Sequence, residues 1–299
     1  ADGELGGLLG SKEVMDFTRV NTFLTCPEKY RLTYLESLQK IQEDRVDAPR
    51  KFGQAIHAGL QRLYTPSMTA QEAHMAFLAV FPEALDPEDM ARTPVNGLKL
   101  LDAYRHYWAN QDREWKVLGV EVVDQVEIGT VEPWEVKLDL IVDTPNGIMG
   151  VDHKTTARRE GFTESYWRGF EPNSQVSGYT YYLLKKYGQC SGFLINGLAI
   201  GWNQRAGKRH PQGFWYEFQR QLFNRSERQL EDWRLRMVGT MTRMRATTAL
   251  RPEDVWEKNE SMCGYCPFRE LCLSVGDEQV KSTLYAVSDN PLAYLQETR

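Results

Sequence analysis

Residues 139–154, DLIVDTPNGIMGVDHK, decide how this chain folds. Their upstream half belongs to EVKLDLIVD (135–143), where Val136, Leu138, Leu140 and Val142 alternate with Glu135, Lys137, Asp139 and Asp143. That is the period of a half-buried strand. Asn146-Gly147 follows, the strongest short hairpin signal because both residues tolerate positive φ. With those two as the turn, Asp139 stands opposite Lys154 and Ile141 opposite Asp152, so Asp139, Asp152 and Lys154 share one face. A slip of one residue would scatter them. Two carboxylates and an amine gathered on one face make a divalent-metal site with a lysine beside it.

The bulk numbers narrow the setting. The 299 residues suffice for one large domain or two smaller ones, and the net charge of -5 confines any nucleic-acid contact to local patches. No run of eighteen apolar residues occurs, and ADGELGGLLGSKE lacks a signal peptide's basic start and apolar run. The expectation is a cytoplasmic chain with no membrane role. Five cysteines in that setting point to metal or cluster chemistry rather than disulfides.

Working outward, residues 1–17 are a flexible start and 18–114 a helical region that contributes Cys26 and His57. The strand-rich core spans 115–222, and 223–299 hold a long helix and a cysteine-rich segment, all in one integrated domain. Helices are expected from Thr18 to a break at Cys26-Pro27, over 51–64, 69–81 and 95–114, and over 171–188 ending at Gly188. Strands are expected at 115–129, 192–202 and 213–221, and Ser226 with Gln229 forms a capping box opening a helix with Trp233 and a methionine stripe inward. This order predicts an α/β fold, a central mixed sheet flanked by helices.

Asp139 followed by Asp152-His153-Lys154 resembles the PD-(D/E)XK nuclease superfamily, and more closely its RecB-type branch. Gly53-Gln-Ala-Ile-His57 matches that branch's upstream histidine motif, and Gln175-Val-Ser-Gly-Tyr179 its later Gln-x-x-x-Tyr helix. Leu138 replaces the name-giving proline and Asp152 stands where many members carry glutamate. The resemblance implies a restriction-endonuclease-like core and Mg²⁺ or Mn²⁺ held by His57, Asp139, Asp152 and the backbone carbonyl of His153. It implies Lys154 as the catalytic lysine, with Gln175 and Tyr179 positioning that lysine or the phosphate.

Cys263, Cys266 and Cys272 form a compact triad of the kind that rarely lacks a metal. A fourth ligand must come from elsewhere, with Cys26, Cys190 and His210 as candidates. RecB-type nucleases with an iron–sulfur cluster, including helicase-associated and CRISPR-adaptation members, have a distant first cysteine like that in Thr25-Cys26-Pro27 and a proline after the middle cysteine, as in Cys266-Pro267. The resemblance thus implies a [4Fe-4S] cluster on Cys26, Cys263, Cys266 and Cys272, tying the helical N- and C-terminal parts together. Structural zinc is the alternative, and Cys190 reads as a small buried hydrophobe.

For substrate, Arg158 and Arg159 follow the metal strand, and Arg205, Lys208 and Arg209 crowd a loop near Tyr166, Trp167, Phe170 and Trp202 in sequence. Cations beside stacking rings suit single-stranded nucleic acid. The reading is a metal-dependent deoxyribonuclease, an exonuclease on single-stranded DNA or DNA ends, with a helicase or CRISPR-adaptation partner conceivable. Its rivals are a non-catalytic nucleic-acid-binding scaffold of the same fold and a zinc-stapled metalloenzyme with another substrate.

Overall fold

A computed structural model describes residues 15–41, 47–157, 160–249 and 256–288. The N-terminal helix α1 (Phe17–Thr25) starts where the Asp16 carboxylate accepts the Arg19 N–H at 2.7 Å. It stops at Cys26, which turns extended because Pro27 follows it. Pro27 then opens α2 (Pro27–Tyr30), a position where its missing N–H costs nothing, and the chain loosens into a π-turn at Arg31–Leu35. A short strand β1 (Leu38–Lys40) follows.

Three helices come next. Asp47 caps α3 (Ala48–Tyr64), Thr69 and Glu72 close a capping box on α4 (Ala70–Val80), and Thr93 caps α5 (Pro94–Asp112). The sheet then forms from β2 (Lys116–Val126), β3 (Trp134–Thr144) and β4 (Gly147–Thr156). After α6 (Glu164–Arg168) and α7 (Ser174–Tyr187) come β5 (Gly192–Asn203) and β6 (Gly213–Phe223). Gly188 ends α7 at φ +71, a left-handed stop that suits glycine. Ser226 and Gln229 cap α8 (Glu227–Thr248). The C-terminal segment adds α9 (Arg269–Leu273), α10 (Glu278–Leu284) and β7 (Tyr285–Val287), and β7 pairs with β1.

The sheet order is β2-β3-β4-β5-β6, antiparallel except for the β4–β5 pair. A parallel neighbour needs a crossover, and α6 and α7 supply it. One face packs on α1, α7 and α8 through Phe23, Val176, Tyr182, Trp233 and the methionines 237, 241 and 244. The other face packs on α3, α4 and α5 through Phe52, Ile56, Phe77 and Leu100. The fold is the expected α/β arrangement, a mixed sheet flanked by helices. No helix among the described residues is long and apolar enough to cross a membrane.

The hairpin register differs from the expectation. Thr144 pairs with Gly147, so the corner is Pro145-Asn146 and not Asn146-Gly147. Proline's fixed φ suits the first corner position, Gly147 takes φ +110 just after the corner, and the Thr144 hydroxyl bridges to Gly147 O and Asn146 N. The pairing moves by two residues, which preserves the parity of faces.

A second difference matters more. Leu138 packs in the cluster beneath α7 and α8, yet Leu140 and Val142 pack on the opposite face, although strict alternation put all three together. The switch falls at Asp139. Val120 pairs with Leu140 and Val122 with Leu138, while the pairing passes over Glu121 and Asp139, and Glu121 sits at φ +49. Beyond Leu140–Val151 the β3–β4 ladder ends, and the two strands separate there.

Candidate active site

Where β3 and β4 part, α3 covers the gap from one face and α7 from the other, leaving a cleft of about 560 Å³. Its lining includes His57 and Gly53 from α3, Asp139 and Lys137 from β3, and Asp152, His153 and Lys154 from β4. Gln175 and Tyr179 of α7 close the other side. Every residue that the sequence marked for the divalent metal and for catalysis therefore borders this one cleft. Gly53 is where α3 presses closest to β4: a methyl group there would lie 3.0 Å from the Thr155 hydroxyl.

The contacts within the cleft are few and oriented. Asp139 Oδ2 accepts the backbone N–H of His153 at 2.7 Å and lies 3.5 Å from His57 Nδ1. Lys154 Nζ is 2.7 Å from Asp152 Oδ2. Asp152 is only 4% exposed, and despite that ion pair its Oδ2 makes no well-aligned hydrogen bond. Gln175 Nε2 donates to the Tyr179 hydroxyl at 3.1 Å.

One residue escaped the sequence reading. Glu121 brings a carboxylate oxygen into a group with His57 and Asp139 whose ligand atoms all lie within 4.8 Å of one another. Its signal was a lone acid inside the apolar run Val120-Glu121-Val122-Val123, two residues after Gly119. Burial raises the Glu121 pKa above its ordinary value, with Asp139 adding to the effect. Burial raises Asp139 as well; His57 and Lys154 oppose the shift and Asp152 reinforces it. A cation bound beside the pair favours the ionised carboxylates and so opposes that rise.

The donor set fits a hard divalent ion: two or three carboxylates and an imidazole nitrogen, with the Lys154 ammonium beside the buried Asp152 carboxylate. The residue between the acid and the lysine serves another purpose on the far side of the sheet. His153 is buried, its Nδ1 is 2.6 Å from Asn196 Nδ2, and its ring stacks on Tyr64 at 5.6 Å. Burial holds its pKa well below the ordinary value, so the ring is neutral. Asn196 Oδ1 accepts from Arg220 Nε at 3.1 Å. Arg220 also donates to Asp112, Tyr64 and Tyr104, with its guanidinium 3.9 Å from the Trp108 ring centroid. Burial works against that charge, yet Tyr104, Asp112 and Tyr64 hold Arg220 above its usual range.

The cysteines lie elsewhere. Cys26, Cys263, Cys266 and Cys272 line one small pocket of about 70 Å³ at the end of α1. No three of the thiols come within 4.8 Å of one another among the described residues. Burial raises Cys266 and Cys272, the latter to about 11. Cys190 is remote from that pocket, packed against the main core with its thiol donating to Gly192 O at 3.4 Å. Around the pocket, Glu28 N–H donates to Glu257 O at 3.1 Å and Asn259 Nδ2 to Thr25 O at 2.9 Å, so the two ends of the chain are bonded there.

The cations expected near the substrate divide. Arg158 and Arg159 lie outside the described residues. Arg205, Lys208 and Arg209 line a separate cleft and not the catalytic one. The rings expected beside them are mostly core: Trp167 is buried, and Tyr166 and Phe170 pack against it because α6 folds down onto the sheet. Trp202 alone of that set is exposed.

Comparison with known proteins agrees with this geometry. The sequence profile of the PD-(D/E)XK nuclease superfamily matches residues 16–273. No curated protein matches the sequence significantly. Among solved structures, a crystal structure of an Eubacterium rectale protein provisionally named an exonuclease superposes with a TM-score of 0.50 at 14% identity, covering 89% of this chain and 94% of that one. That likeness speaks for the fold. The structure of a protein designated SSO0001 covers 85% of this chain and 92% of its own at 11% identity, with a TM-score of 0.30 that carries no weight. A match over most of the chain, joined to a hairpin that opens at its acidic residues, leads to one conclusion: this chain belongs to the PD-(D/E)XK nuclease superfamily.

Proposed function

We propose that the chain is a Mg²⁺- or Mn²⁺-dependent deoxyribonuclease, acting as an exonuclease on single-stranded DNA or DNA ends. The observation that carries this reading is the shared cleft: Asp139, Asp152, Lys154 and His57 meet where β3 and β4 separate. His57, Asp139, Asp152 and the His153 carbonyl would hold the cation, and Glu121 would join them. When bound, such a cation polarises the scissile phosphate and acidifies a water. Lys154 donates to the phosphate oxygen on which charge builds and orients the attacking water. Asp152 keeps Lys154 pointed, and Gln175 with Tyr179 limits where the phosphate can rest. Arg158, Arg159, Arg205 and Lys208 supply backbone contacts, while Arg209 beside them is paired with Glu217.

A [4Fe-4S] cluster on Cys26, Cys263, Cys266 and Cys272 completes the proposal. Four thiols around one pocket suit either a cluster or zinc. Zinc with bonds of about 2.3 Å draws its sulfurs to roughly 3.8 Å apart. What favours the cluster is the resemblance of Thr25-Cys26-Pro27 and Cys266-Pro267 to the cluster-bearing nucleases. The cluster's part is to clamp the C-terminal segment to α1. Iron and zinc content and visible absorbance after anaerobic purification test this assignment, and one equivalent of zinc without iron overturns it.

The nuclease reading is tested with end-labelled single- and double-stranded DNA and Mg²⁺ or Mn²⁺, comparing the wild type with Asp139→Ala and Lys154→Ala. Metal-dependent cleavage lost in both variants is the expected result. Equal activity in all three, or none in any, sinks it and leaves a non-catalytic nucleic-acid-binding protein as the better account.

A further inference from the structure

Beyond the end of β4 a second cleft of about 900 Å³ adjoins the first: Thr155 borders the catalytic cleft, and Ala157, two residues on, borders the other. Its walls are the end of β5 with the β5–β6 loop on one side and residues 88–91 on the other. Trp202 stands on this wall 42% exposed, although Leu198 and Ile200 on the same face of β5 are buried. No aromatic ring stacks on Trp202 among the described residues. A large ring left open to water beside a polar cleft is more telling than an exposed small apolar group.

The charges around that ring are not balanced. Arg205 and Lys208 are exposed and have no acidic partner among the described residues. Arg209 does have one, Glu217 at 3.0 Å, and so is already committed. Of the acids on the opposite wall, Asp89 is tied to Arg92, which leaves Glu88. Because β5 runs parallel to β4 with Gly197 beside Lys154 and Leu198 beside Thr155, Trp202 stands on Thr155's face, five residues beyond the level of Lys154, roughly 17 Å along at about 3.3 Å per residue. At about 3.4 Å per stacked nucleotide that is about five nucleotides from the phosphate under attack.

We propose that this second cleft is a track for the single-stranded part of the substrate, with Trp202 as a base-stacking platform and Arg205 and Lys208 on phosphates. The inference rests on the nuclease reading and deepens it, because only an unpaired base can lie flat on an exposed indole. It assigns Arg209 to holding the loop against β6 and not to the substrate.

The test is fluorescence anisotropy of a labelled twelve-nucleotide thymidine strand, a duplex of the same length and a uridine strand, with the full chain in chelator at two salt concentrations. Trp202→Ala should weaken single-strand binding roughly tenfold and leave duplex binding unchanged, and Trp202→Phe should restore most of the loss. Arg205→Gln with Lys208→Gln should lower the salt slope by about 1.4. With metal added, Trp202→Ala should raise KM, not lower kcat, and only for strands reaching about five nucleotides past the cleaved bond. Unchanged single-strand affinity in Trp202→Ala, or an equal loss for duplex, overturns the track while cleavage by the wild type keeps the nuclease reading. A Trp202-dependent single-strand affinity in a protein that cleaves nothing does the reverse. Tighter uridine binding with the same Trp202 dependence supports the track and replaces DNA with RNA in the proposed function.

Discussion

The two sides of β4 are built on opposite terms. Asp152 and Lys154 face an open cleft where Glu121 and Asp139 hold raised pKa values and the buried Asp152 carboxylate is paired with Lys154. Between them in sequence, His153 faces the other way into a closed network of Asn196, Arg220, Tyr104, Tyr64 and Asp112. One side is left incomplete, as a site for a cation and a phosphate must be; the other is satisfied in nearly every bond. Because side chains alternate along a strand, a rigid support and a reactive surface can occupy consecutive residues. The network fixes the backbone at His153, whose N–H in turn holds Asp139.

That contrast can be broken from either side. Arg220→Met should cost the most, about 3–5 kcal/mol, since it strands the Asp112 carboxylate in a buried place. A urea melt measures this, and adding Asp112→Leu should return much of the loss. Asp139→Ala should behave oppositely: cleavage falls by roughly 10²–10³-fold, while the melting temperature holds or rises because a desolvated acid beside another carboxylate is gone. A variant that melted markedly lower would show that the cleft also carries stability.

Smaller changes sharpen the comparison. Gly53→Ala should push α3 off β4 by a few tenths of an ångström, shift His57 and slow cleavage roughly tenfold. Adding Thr155→Ala, which removes the crowded hydroxyl, should restore the rate; failure to do so would place the effect elsewhere. The smallest effect belongs to a control far from both sides. Asp124, bonded to Lys186, Tyr182 and the Gln125 N–H, has its pKa lowered to about 2. A carboxyl depressed on folding stabilises above its unfolded value near 4, and that stabilisation fades as pH falls toward 2. Since its side chain is 38% exposed, Asp124→Asn should cost less than about 1 kcal/mol at pH 7, and the gap from wild type should close on acidification.

Much of this was legible in the sequence, for reasons that can be named. Local signals were strong where one residue dictates one geometry: Pro27 after Cys26, the Ser226–Gln229 box, Gly188 at the end of α7. Alternation gave β3 and β4 but not the break at Asp139, because that break depends on the neighbouring strand, where the pairing passes over Glu121 at φ +49. The same break hid Glu121 as a cleft residue. Asn146-Gly147 misled because Pro145 competes for the first corner position and wins it. The Arg220 network was invisible, since its members are separated by up to 156 positions and join only through the fold.

The nine-residue helix α1 carries a consequence for the bench. Phe17 and Thr18 at one end border the catalytic cleft, and Thr25 and Cys26 at the other border the cysteine pocket, about 13 Å away at 1.5 Å per residue. One short helix thus spans both sites. On the proposed cluster and cation, exposure to air and chelators is a variable to record beside every rate.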